Sequence, residues 1–338
     1  MLLKNREILN PYFSGNDSAS NQYKNGMISA ISDLSNCLNE REMEDLIKNK
    51  LQLFSSSLNE PQYLQSACEL VICSYLAKLY KNAFKYELQV NPPKDVDCSF
   101  TESGIQFNVE IKCADFSKSN RINEEDGYKI GFLGRNPDVD AVFNDLAGAF
   151  QAIPDGKPLI KQQHMDNKLK DYLQSAHGKF SQQLREDHLN VLAICCDTPL
   201  DIQKWFGYMY ENQGLFTNDS FYEKENYNLV DIVFITNLYH RHYLYRSKDK
   251  ISNHWLLDKS FNLVFSNPHR LLDKKSSILR FCDIMPNYSH ELCKYQVPGD
   301  AEDYVKNSIR IPHFVGDELE AKGIFHFQPN SEITAENI

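Results

Sequence analysis

Two carboxylates and an ammonium, Asp97, Glu110 and Lys112, fall within one short run, KDVDCSFTESGIQFNVEIKC, from Lys94 to Cys113. Paired carboxylates supply the hard oxygen ligands that Mg²⁺ prefers, while the ion keeps several waters and takes its remaining ligands from a phosphate. An ion so held activates water and neutralises charge on phosphoryl oxygens. A lysine beside it could orient or deprotonate that water, or stabilise developing charge, because the pKa of an ammonium shifts readily with its surroundings. The chemistry these residue types suggest is metal-assisted hydrolysis of a phosphodiester.

A β-hairpin would position them. Phe107, Val109 and Ile111 alternate with Asn108, Glu110 and Lys112, so Glu110 and Lys112 project from one face of a strand and the apolar residues from the other. The spacing predicts a core face and a face that carries chemistry. Ser103-Gly104 is a plausible turn back to a strand around Val96 to Phe100, which sets Asp97 across the hairpin from Glu110. Upstream, in PQYLQSACELVICSYLAKLY, Leu64, Ala67, Leu70, Val71, Ser74 and Tyr75 recur at helical spacing with Glu69 near the edge of the stripe. Pro61 lies close to the helix start, where proline is tolerated. The ordinary alternative is a solvated hairpin face, on which a Glu-x-Lys is a cross-strand charge pair.

A helical Glu69, a strand Asp97 and then Glu110-Ile111-Lys112 on the next strand together resemble the PD-(D/E)xK nuclease superfamily, over about residues 60 to 113. The literal Pro-Asp pair is missing: Pro92 and Pro93 precede Lys94-Asp95-Val96-Asp97. Asp97, inside the strand-like run, is preferred over Asp95, which stays open. The resemblance implies catalytic roles for Glu69, Asp97, Glu110 and Lys112, and Mg²⁺, with Mn²⁺ as a substitute, held by Asp97, Glu110 and Ile111. It implies an α/β fold with a restriction-endonuclease-like central mixed sheet flanked by helices. It also implies DNA as the favoured substrate in restriction or antiviral defence. An RNA-cleaving nuclease, or a noncatalytic nucleic-acid-binding or assembly protein with a degenerate site, is the alternative. A homodimer or a partner protein in a defence complex would suit double-strand cleavage.

The net charge of −10 over 338 residues excludes nonspecific coating of nucleic acid and confines any such contact to a local basic patch. The densest is His240-Arg241-His242-Tyr243-Leu244-Tyr245-Arg246-Ser247-Lys248, where Arg241, Arg246 and Lys248 could grip phosphates and Tyr243 stack on bases or sugars. His240 and His242 lack further ligands at zinc spacing. A second basic stretch runs from His269 and Arg270 to Arg280. A predicted helix from Met165 to Asp187 carries Lys179 and Gln183, and in the resembled family this helix often contributes a Lys or Gln near the scissile phosphate. No nucleotide-binding P-loop and no Gly-x-Ser-x-Gly elbow is present.

Nine cysteines, without Cys-x-x-Cys pairs and set in apolar runs, read as reduced core residues of a cytoplasmic protein. No leader-like or membrane-length apolar run appears. The expected organisation is a loosely ordered arm to about residue 22 and two helices within residues 1–58. A nuclease core at 59–240 and a C-terminal α+β extension at 241–338 follow. Asp115 to Asp126 and GYKIGFLGRNPD read as loops near the site. NVLAICCD and LVDIVFIT, near residues 190–197 and 229–236, read as fully buried strands.

Overall fold

The computed structural model describes residues 6–113, 126–131, 135, 137–151, 157–161, 165–196, 199–243, 245, 253–260, 262–286 and a few positions between 297 and 313. Helices α1 (Ser18–Ser35), α2 (Glu40–Asp45) and α3 (Glu60–Tyr80) lead into β1 (Phe84–Tyr86) and the hairpin of β2 (Cys98–Glu102) and β3 (Ile105–Cys113). After the short strands β4 (Tyr128–Ile130) and β5 (Leu159–Lys161), separated by α4 (Val139–Gln151), come α5 (Asp166–His177), β6 (His188–Cys195) and α6 (Pro199–Tyr210). Last come β7 (Ile232–Thr236), α7 (Leu238–His242), β8 (Asn262–Ser266) and α8 (Lys275–Ile284).

The protein is α/β, with a six-stranded mixed sheet in the order β1-β2-β3-β6-β7-β8, flanked by helices. β3, β6 and β7 are parallel, and the two edges are antiparallel. Parallel strands are buried on both faces, and β6 and β7 show this as near-continuous apolar runs. One face packs against α1, α3 and α8 through Leu34, Leu64, Leu76 and Phe281, and the other against α5 and α6 through Leu169, Leu173 and Trp205. The expected boundary at residue 240 falls inside this sheet, between β7 and β8. Among the described residues no helix is long and apolar enough to cross a membrane.

The hairpin turn is the expected one. Ser103 and Gly104 both have positive φ, 51° and 79°, the pattern of a two-residue turn whose twist matches the flanking strands. α3 is buried almost all round from Tyr63 to Ala77, because it lies between the sheet and α1. Asn59 caps it by accepting from the Gln62 N–H, with Pro61 in the first turn.

Three expectations need correction. The N-terminal arm is held down: Phe13 is buried against Tyr23 and Tyr63, and the buried Asn10 amide donates to the Leu51 carbonyl. Ile28, which the sequence spaces with Ile31, Leu34 and Leu38 as one apolar helical stripe, is 40% exposed on α1, while Tyr23, Met27, Ala30 and Leu34 are buried. The helix expected to reach Asp187 ends at His177, where the Gly178 N–H closes the last turn onto Gln174 and the chain must return to enter β6. Lys179 and Gln183 therefore lie beyond the helix. Of the loop expected from Asp115 to Asp126, all but Asp126 lies outside the described residues.

A buried polar ladder fixes register at the opposite end of the sheet from Cys113 and Cys195. Ser99 donates to Asn108, Asn108 to Asn190, and the Asn190 N–H to Asp231, which also pairs with buried Lys274 at 2.8 Å. Burial pushes the Asp231 carboxyl up, against the pull of Lys274. Removing one partner of such a pair strands a buried charge. Lys274→Met is expected to destabilise the fold by about 3–5 kcal/mol at neutral pH. Because the folded-state pKa of Asp231 is raised, the loss should shrink as pH falls through the carboxylate range, measured by denaturant unfolding.

Candidate active site

Glu110 stands in the middle of β3 with no exposure at all. β3 is a central strand, so the face that the ordinary alternative would leave solvated is buried, Asn108 included. A solvated charge pair is therefore excluded as the account of Glu110. Two ammoniums compensate it. Lys179 Nζ donates to Oε2 at 2.9 Å, and Lys112 Nζ and Lys179 Nζ flank Oε1 at 2.6 and 2.8 Å. Oε1 is thus in ion-pair contact with both ammoniums but has no hydrogen bond. Burial opposes the Lys179 charge, but the hydrogen bond and charge of Glu110 hold the ammonium above its ordinary range.

Asp97 enters from just before β2. Cys98 is paired with Val109, so Asp97 lies opposite Glu110 one step further along the hairpin. Its Oδ2 accepts the Ile111 N–H at 2.5 Å. Burial, then the nearby Glu69 and Glu110 carboxylates, push the Asp97 carboxyl well above the usual range, against the Ile111 N–H and Lys179. Asp95, the alternative, acts on Lys179 through its charge.

Glu69 reaches the same neighbourhood from α3 and is tied from behind. Tyr86 Oη donates to its Oε1 at 2.6 Å, and Lys50 Nζ does so at 2.8 Å while also meeting Tyr86 and Glu87. Burial opposes the Lys50 charge, and the Glu69 and Glu87 carboxylates outweigh it. Burial and Glu69 together raise the Tyr86 hydroxyl, which stays a neutral donor. Lys50 and Tyr86 escape a sequence reading. Lys50 arrives through a π turn at Leu46–Lys50, where the Leu51 N–H reaches back to Leu46, and no pattern in LIKNK distinguishes it from Lys48.

The hairpin and α3 thus bring Glu69, Asp97, Glu110 and Lys112 into one electrostatic unit, and Lys179 joins it from the turn after α5. The carboxylates do not form a three-ligand cluster. Among the described residues, only Cys68, Cys113 and Cys195 offer three ligand atoms all within 4.8 Å of one another.

The other predicted residues lie elsewhere. Gln183 is exposed in the turn before β6. Arg241 is buried, and its guanidinium donates to the Asn253 and Lys259 carbonyls, so it locks a loop instead of facing a polyanion. His242 is also buried, with Nδ1 against the Tyr23 hydroxyl. Tyr243 is partly exposed and stacks on Tyr239. Arg246 and Lys248 lie outside the described residues. In the second basic stretch, Lys274 pairs with Asp231 and Arg280 with Glu102.

No family model matches this chain, and no curated protein or solved structure is detectably similar to it.

Like charges gathered in a partly buried site cost stability. Asp97→Asn keeps an acceptor for the Ile111 N–H and removes one of the carboxylates. It is expected to stabilise the fold by about 1 kcal/mol at neutral pH. Since the folded-state pKa of Asp97 is raised, the wild-type penalty appears as pH rises through that value, and the gain should vanish in acid. Thermal unfolding of both proteins across pH checks this.

Proposed function

We propose that this chain is a metal-dependent phosphodiesterase with a restriction-endonuclease-like fold, cleaving nucleic acid, with DNA as the favoured substrate. The observation that carries the reading is Glu110: a fully buried carboxylate with Asp97 opposite it and two ammoniums against it. Ion pairs of this kind do little for stability compared with apolar packing, so their retention in a sheet centre favours a chemical role. The mixed six-stranded sheet and the order of a helix Glu, an Asp on the residue before a strand, and a strand Glu-x-Lys are compatible with the PD-(D/E)xK arrangement.

The residues present fit a hard divalent cation. Glu110 supplies a buried carboxylate whose Oε1 a cation would share with the two ammoniums, and Asp97 is a carboxyl whose charge is disfavoured by its neighbours and would be favoured by a cation. Asp97, Glu110 and the Ile111 carbonyl would hold Mg²⁺ or Mn²⁺. When bound, such an ion supplies Lewis-acid stabilisation of phosphoryl charge and acidifies a water. Lys112, partly exposed beside Glu110, would orient that water and stabilise negative charge developing on the phosphate. Lys179 offers a second cation for the phosphate. Glu69, fixed by Lys50 and Tyr86, stands as an outer carboxylate that raises the negative potential of the site.

Purified protein is expected to cleave plasmid DNA with Mg²⁺ or Mn²⁺ and to stop with chelator. Lys112→Ala should lower turnover by about a hundredfold or more; because it also removes one of the two ammoniums that compensate buried Glu110, some loss of stability is expected, and rates are compared at a temperature where the variant is shown to be folded. RNA offered in parallel decides the substrate class. Activity that survives rigorous metal removal, or a folded Lys112→Ala protein that keeps its specific rate, overturns the mechanism.

A further inference from the structure

The parallel pairing of β3 with β6 sets Cys113 directly beside Cys195, at the C-terminal ends of both strands. Cys68, on the buried side of α3, completes a triangle whose sulfurs all lie within 4.8 Å of one another. All three thiols are free. Cys68 and Cys195 are fully buried, and Cys113 is partly exposed. A second observation points the same way. Thr236 pairs in register with Cys195 across β7, so its side chain stands on the same sheet face. Its hydroxyl is buried and has no hydrogen-bond partner. A stranded donor next to a sulfur is costly in an apolar core and useful beside a thiolate, which it can stabilise as an outer hydrogen bond.

We propose that Cys68, Cys113 and Cys195 bind one thiophilic cation, with Zn²⁺ as the occupant of choice. A zinc–sulfur bond of about 2.3 Å places tetrahedral sulfurs roughly 3.8 Å apart, so a contraction of at most about 1 Å from the observed spacing would close the site, within reach of side-chain rotation. Each thiol gives its proton to solvent as its sulfur–metal bond forms, the ion gives up waters, and nothing is oxidised or reduced. A water can hold the fourth position. The site is distinct in chemistry from the carboxylates and does not rest on the phosphodiesterase reading, although it joins the same elements. Cys68 precedes Glu69 on α3, and Cys113 follows Lys112 on β3, so the bound ion would clasp α3 to the two central strands and hold the helix carboxylate in place against the strand lysine.

Titration of the reduced, full-length protein with Cd²⁺, read by the ultraviolet thiolate-to-metal charge-transfer band, tests this. Cadmium bound by carboxylates gives no such band, so the outcome is independent of any metal at Asp97 and Glu110. The band should saturate at one equivalent per chain, and zinc should displace the cadmium. Zinc X-ray absorption should show three sulfurs. Cys113→Ser, at the least buried of the three positions, should weaken zinc binding by about a hundredfold, and Cys195→Ser should do likewise. Cys37→Ser and Cys282→Ser should leave the titration unchanged. Wild-type protein without a saturable band overturns the proposal whatever the variants do, and so does a band that persists at full amplitude in Cys113→Ser.

Discussion

A carboxylate with no exposure, on the third of six strands, is the constraint around which this molecule is arranged. An ionised Glu110 in that position would be prohibitively costly without partners, and its partners come from two directions. Lys112 is two residues along the same strand face, while Lys179 must be carried in from the turn after α5. That second requirement explains why α5 stops where it does. A helix continuing past His177 would sweep Lys179 away from the sheet, whereas the turn closed by the Gly178 N–H on Gln174 keeps it against β3. The Lys50–Tyr86–Glu69 arrangement solves the same problem for the carboxylate on α3.

Holding these groups together depends on strand register, and register depends on the polar ladder from Ser99 to Lys274. Side chains alternate between sheet faces, so a one-residue slip of β3 would turn Glu110 and Lys112 toward α3 and put Val109 and Ile111 in their place. Asn108 meeting Asn190, and Asn190 meeting Asp231, penalise that slip, because each displaced amide would be left buried without a partner. The same register sets Cys113 beside Cys195 and Thr236 beside Cys195.

Much of this is legible in the sequence, for identifiable reasons. Alternation from Phe107 to Lys112, the Ser103-Gly104 turn and the apolar runs at Val191 and Val233 are short-range patterns, and they give the hairpin and the buried strands. What is not legible depends on partners distant in the chain. Leu184 keeps helical spacing with Phe180, yet it is half exposed, because the tertiary turn at Gly178 overrides the periodicity. Arg241 sits in the densest basic run of the sequence and still serves the interior, because the carbonyls of Asn253 and Lys259 fold back around it. The three sulfurs look like ordinary core cysteines until the parallel β3–β6 pairing brings two of them side by side.

The central claim is that Asp97 and Glu110 jointly hold a divalent cation, and Mn²⁺ binding followed by electron paramagnetic resonance tests it most directly. Wild-type protein should bind Mn²⁺ at a site that Mg²⁺ competes for and that is lost in both Asp97→Asn and Glu110→Gln, with each variant shown to be folded. Mn²⁺ binding of undiminished affinity in those two variants, or no saturable binding in the wild type, would contradict it.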